Sequence, residues 1–180
     1  MATRREVLQG LIVSLGGAAA LTACGGAANV VATRPGAAGR FHSEREMALL
    51  ARVSELIIPR TETPGALDVN VPGYIDGLMS DWANADTQQR HRQALTALDR
   101  DLSQRASADY LTVDANQAEA VLAALDAEAF TGNSGALAGY RRLKGYITQS
   151  YFATEGGALE ELKWVAVPGR WDPSVEVSEA

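Results

Sequence analysis

Apolar residues recur three and four positions apart in five successive stretches of the chain, and no stretch alternates apolar with polar over strand length. Side chains spaced in this way can be buried together only on helices packed against one another. The first stripe is Leu49, Leu50, Val53, Leu56 and Ile57; it follows the capping-box pattern Ser43-Glu44-Arg45-Glu46 and is stopped by Pro59. Pro72 suits a first helical turn, and Tyr74, Ile75, Leu78, Met79 and Trp82 form a second, short stripe. A third helix, capped by Asp86 or Thr87 and running to about Arg105, carries Ala94, Leu95, Leu98 and Leu102 inside and alternating charges on a solvated face. Asp114 with Gln117 repeats the capping pattern ahead of Ala118, Val121, Leu122, Leu125 and Ala129. Leu137, Tyr140, Leu143, Ile147 and Tyr151 mark the last helix, which is expected to end near Ala153. The expectation is an all-α domain, a compact bundle of about five helices spanning residues 41–153.

What flanks that domain differs in kind. Arg4-Arg5 precede an apolar run over residues 10–23 that is shorter than the ~20 residues a membrane-spanning helix needs and is closed by small residues. Residues 1–23 therefore read as a cleavable signal. The arginine pair resembles a twin-arginine motif, whose export route carries folded proteins; an ordinary charged n-region is the alternative. Leu21-Thr22-Ala23-Cys24 resembles a lipobox, and Cys24, the only cysteine, would be the lipidated residue. Residues 24–40 are rich in Gly and Ala and read as a flexible tether, so the expected location is periplasmic with a lipid anchor in the membrane.

The formal charge of −6 moves to −7 when residues 1–23, with Arg4, Arg5 and Glu6, are removed. An acidic domain argues against nucleic acid, which needs clustered Lys and Arg. With Cys24 lipidated no thiol remains for a disulfide or a cysteine-ligated metal. Dinucleotide, phosphate-loop, zinc-protease and nucleophile-elbow motifs are missing from the sequence. His42 and His91 read as isolated surface or capping groups, and the neighbouring pairs Asp99/Asp101 and Glu160/Glu161 as solvated. The chain is thus expected to hold no catalytic, cofactor or metal site of its own.

Two segments remain. Residues 60–70, with Arg60, Thr63, Pro64 and Gly65, are dense in turn formers and read as an ordered loop. Beyond residue 154, Gly156-Gly157 is expected to end the last helix, Leu159-Glu160-Glu161-Leu162 to add a turn, and residues 164–173 to form an extended aromatic tail. Trp164 and Trp171 in that tail either fold back on the helices or anchor a partner.

The stretches Leu56-Ile57-Ile58-Pro59-Arg60-Thr61-Glu62-Thr63-Pro64-Gly65-Ala66, Val71-Pro72-Gly73-Tyr74-Ile75-Asp76, Tyr151-Phe152-Ala153-Thr154-Glu155-Gly156-Gly157-Ala158 and Val167-Pro168-Gly169-Arg170-Trp171-Asp172 resemble the gluconate 2-dehydrogenase subunit 3 family. The resemblance implies a non-catalytic small subunit of a membrane-associated sugar or polyol dehydrogenase. It further implies that a large flavoprotein of the glucose-methanol-choline (GMC) type carries FAD, often passing electrons to a cytochrome c subunit whose cofactor is haem c. The small subunit would supply the export signal and stabilise the large one. Arg60, Thr63, Pro64, Gly65, Trp164, Pro168, Gly169, Arg170 and Trp171, at the two ends of the resemblance, are the expected partner interface. A stand-alone periplasmic helical lipoprotein with a binding or structural role is the alternative reading.

Overall fold

The computed structural model describes residues 37–132, 135–165 and 169, and among them the chain is helical with no strand. The elements are α1 (Glu44–Ile57), α2 (Val71–Gly77), a π-helical turn Leu78–Trp82, α3 (Ala85–Ala106), α4 (Ala115–Ala129), α5 (Gly135–Phe152) and a second π-helical turn Gly156–Glu161. No helix of the described residues is long and apolar enough to cross a membrane.

Local chemistry sets most of these boundaries. Ser43 and Glu46 close a reciprocal capping box at the start of α1, with the Glu46 carboxylate accepting from the Ser43 amide at 2.8 Å. α3 is capped not by Asp86 or Thr87 but by Asn84, whose extended backbone lets its side-chain oxygen accept from the Thr87 amide at 2.9 Å. Asp86 lies inside the first turn instead and pairs with Arg90. Asp114 caps α4 as expected, whereas Gln117 does not return the bond: its amide donates to the Ala106 carbonyl at 2.9 Å and ties α4 to the end of α3.

The five stripes make one core. α3 and α5 lie so close that a Cβ on Gly139 would come within 3.0 Å of the Ala94 Cβ. Tyr110, Tyr140 and Tyr151 are fully buried, and each hydroxyl donates to an acceptor: the Ala118 carbonyl at 3.1 Å, Asp126 at 2.8 Å and the Pro64 carbonyl at 2.7 Å. The charged faces are not simply solvated. Arg45 of α1 reaches both Asp99 and Asp109, and Arg105 of α3 joins Asp101 to Glu128 of α4, although half-exposed pairs of this kind contribute little each.

Two further expectations are corrected. Trp82 does not continue the second stripe; the residue is 83% exposed, because the wider π-helical turn rotates it off the face that Ile75 and Met79 bury. Gly156-Gly157 does not terminate a helix. α5 ends at Phe152, and the glycine pair opens the second π-helical turn, where a Cβ on Gly157 would lie 2.2 Å from the Tyr151 carbonyl oxygen.

Candidate functional site

Two features stand out from the bundle, one inside it and one on its surface. The inner one gathers His42, Asp76 and His91, which are 1%, 4% and 3% exposed. Asp76, on α2, faces the segment ahead of α1. Its carboxylate accepts from the backbone amides of Arg40 (2.7 Å), Phe41 (3.0 Å) and His42 (2.9 Å), and from His42 Nδ1 at 2.9 Å. With Nδ1 donating, His42 Nε2 is left as an acceptor, and His91 Nε2, 2.9 Å away on α3, supplies the proton. Arg92 covers the cluster: its guanidinium lies 4.0 Å above the Phe41 ring and donates to the Phe41 carbonyl at 2.7 Å.

The electrostatics follow from this geometry. Burial would raise the Asp76 carboxyl, but the surrounding donors outweigh it and hold the group below the usual carboxylate range. Burial lowers both imidazoles against weaker opposing pulls, His42 in spite of Asp76 beside it and His91 to about 4, where a charge on His42 would lower it further. The pair is therefore neutral at pH 7. A buried carboxylate surrounded by donors, backed by a neutral relay of two imidazoles, locks residues 39–42 onto α2 and α3. Sequence separation hid it, and the one visible signal was a lone Asp76 between Ile75 and the rest of an apolar stripe. Among the described residues no group of three or more His, Cys, Asp or Glu is placed to hold a metal ion.

The surface feature joins the 60–70 loop to the 156–165 segment. Thr63 donates to the Glu161 carboxylate at 2.7 Å, and the buried Tyr151 hydroxyl holds the Pro64 carbonyl. Gly156 sits where a Cβ would come within 2.8 Å of Val69 Cγ1. Around this seam Leu67, Phe152, Leu159, Leu162, Trp164 and Val165 all expose apolar surface. Scattered apolar residues need no explanation, but six of the eight large apolar residues exposed among the described ones fall on the 60–70 loop, the end of α5 and the 156–165 segment. Pro59, at the mouth of the loop, also borders a groove of about 590 Å³ lined by Arg52, Leu56, Val113 and Ala118.

A family model described as Gluconate 2-dehydrogenase subunit 3 matches residues 44–169. The chain belongs to that family. No curated protein and no solved structure matches it. Membership makes the chain an accessory subunit of a dehydrogenase complex and implies a dehydrogenase as its partner.

In this gluconate 2-dehydrogenase subunit 3 family member the expected interface residues fall partly on the seam. Arg60 is exposed and paired with Asp68, whose other oxygen accepts from the Gly65 amide at 2.8 Å; Gly65 is itself buried, since a Cβ there would lie 2.6 Å from the Arg60 nitrogen. Thr63 and Pro64 face the 156–165 segment, Trp164 is 57% exposed, and Gly169 takes a left-handed φ of 73°. Pro168, Arg170 and Trp171, like Arg4, Arg5 and Cys24, lie outside the described residues. His42 and His91 are not the surface or capping groups their isolation in sequence suggests; they are buried partners, because Asp76 of α2 holds the segment ahead of α1 where His42 meets His91 of α3. Sequence reasoning gave Asp76 no role, read Glu161 as solvated and placed Trp82 on a buried stripe.

Proposed function

We propose that this chain is a non-catalytic small subunit that escorts, stabilises and membrane-anchors a FAD-dependent GMC-type sugar or polyol dehydrogenase. Flavin and chemistry belong to the large subunit, and where the complex has a cytochrome c subunit its haem c takes the electrons onward. One observation carries the docking part of this reading. The loop is tied to the end of α5 by Tyr151–Pro64 and to the C-terminal segment by Thr63–Glu161, more than 80 residues away in sequence, and the tied segments expose Leu67, Leu159, Leu162 and Trp164. A monomer gains nothing from stiffening two segments to display Leu159, Leu162 and Trp164, whereas a subunit interface needs shaped, exposed aromatic and aliphatic anchors. The export and anchoring parts are supported by Arg4-Arg5 and by Leu21-Thr22-Ala23-Cys24.

The test is truncation before Trp164, with Trp164→Ala as the finer probe. The truncated subunit is expected to keep its helical spectrum and melting temperature while losing co-purification of the flavoprotein. Trp164→Ala alone is expected to weaken association by about 2 kcal/mol. A truncated domain that melts markedly lower, and loses its partner only for that reason, would assign the segment to the subunit's own core.

A further inference from the structure

Residues 39–42 lie outside every helix, yet their four consecutive amides are all hydrogen-bonded: Gly39 donates to the His42 carbonyl at 2.9 Å, and Arg40, Phe41 and His42 donate to Asp76. The stretch is closed from inside by the contact between His42 Nε2 and His91 Nε2. Rings surround that contact, with Phe41 T-shaped against His42 at 4.8 Å between centroids and Tyr146 of α5 T-shaped against His91 at 5.7 Å. The charged groups around it are mixed in sign. Glu46 of α1 and Asp76 of α2 favour protonated imidazoles, whereas Arg92 of α3 and Arg142 of α5 oppose them.

The contact has room for one added proton and not for two. Two nitrogens 2.9 Å apart share a single N–H, which here points from His91 to His42. A first added proton goes to the unprotonated Nδ1 of His91 and leaves that N–H in place. A second must go to His42 Nε2, because His42 Nδ1 already carries its proton toward Asp76. Two N–H bonds of about 1.0 Å would then meet head-on across 2.9 Å, so the rings must separate. His91 belongs to the 22-residue α3 and His42 to a segment with no helical bonds, so the segment is the side that moves. Its departure withdraws the amides from Asp76, and the exposed Arg40–Asp81 pair that remains contributes little.

We propose that His42 and His91 form a two-proton latch, which acid opens to release residues 39–42 from α2 and α3 while the helices stay packed. Released imidazoles titrate near the ordinary 6.5, whereas in the closed contact both are lowered, His91 to about 4. Protons therefore favour the open form, and opening falls between those values. The test uses the full chain with isotope-labelled histidine, whose 2 imidazoles can be followed separately by NMR, together with amide hydrogen exchange. At neutral pH the proton is expected on Nδ1 of His42 and on Nε2 of His91. As the pH falls, both rings are expected to become imidazolium in one transition steeper than a single-proton curve. Amide protection at residues 39–42, corrected for the intrinsic rate, is expected to drop about tenfold or more over the same interval, with protection in α3 and α5 unchanged. His91→Gln, which can still donate to His42 Nε2 but takes up no proton, is expected to keep the segment closed to lower pH and to leave a one-proton transition. Two independent titrations with protection at 39–42 unchanged overturn the proposal. Simultaneous loss of protection in 39–42 and in α3, which is ordinary acid unfolding, overturns it too, as does His91→Gln opening at the wild-type pH. If that variant does not fold, the wild-type measurements decide.

Discussion

Asp76 is the residue on which the N-terminal segment depends. One carboxylate accepts from three consecutive backbone amides and an imidazole, so its removal strands several buried donors at once. Asp76→Ala is expected to cost about 3 kcal/mol or more in urea unfolding, and Asp76→Asn, which keeps one acceptor oxygen, less. The histidines add a pH dependence whose sign can be worked out. Both imidazoles titrate lower in the folded protein than in the unfolded chain, His91 at about 4 against an ordinary 6.5. Between those values the unfolded state binds more protons, so stability rises with pH across that window and is lost as pH falls through it. The His91 shift corresponds to a loss of about 2 kcal/mol between pH 7 and pH 5. Asp76 acts elsewhere: its folded value is depressed, so its contribution is present above the ordinary carboxylate range and disappears only below it. The chain has 2 histidines, so a flat unfolding free energy from pH 7 to 5 would remove the neutral relay from consideration.

At the scale of elements, the two π-helical turns do what α-helical continuation could not. One turns Trp82 outward, and the other folds the chain back so that residues 156–161 lie against Tyr151 and Val69. Glycine is required for the second. Gly157→Ala would push a Cβ into the Tyr151 backbone, with an expected cost of about 1–3 kcal/mol. Gly145, within α5, has nothing within 4 Å of its would-be Cβ, so Gly145→Ala is expected to stabilise by about 0.5–1 kcal/mol by lowering the entropy of the unfolded chain. Thermal melts of the two variants should therefore move in opposite directions. Two downward shifts would show that α5 needs its glycine for a contact beyond this chain.

For the molecule as a whole, one small helical core supports surfaces that the core itself does not need. A twin-arginine leader is useful where something folds around a cofactor before export, and the sequence of residues 41–180 contains no cofactor-binding motif. That is the physical case for a second, cofactor-loaded chain travelling with this one. Replacing Arg4 and Arg5 by Lys is expected to leave the partner dehydrogenase and its activity in the cytoplasm, although the change lies in another polypeptide. Normal dehydrogenase activity outside the inner membrane in that strain would end the escort reading.

Periodicity and capping are local properties, and they were legible: the α1 box at Ser43 and Glu46, the Asp114 cap, the stop before Pro59 and the buried faces of α3, α4 and α5 follow from residues within a few positions of one another. The same spacing rules assume an unbroken α-helix, which is why they placed Trp82 inside, and the habit of glycine as a helix stop is why Gly156-Gly157 read as an end rather than the opening of a turn. The family resemblance, carried by short motifs, pointed to both halves of the seam without bringing them together. Only the tertiary structure did that, and only it joined His42 to His91 across 49 residues and Pro64 to Tyr151 across 87. A buried hydrogen bond between distant residues leaves no periodic trace, because its energy depends on desolvation and on partners that the packing of other helices supplies.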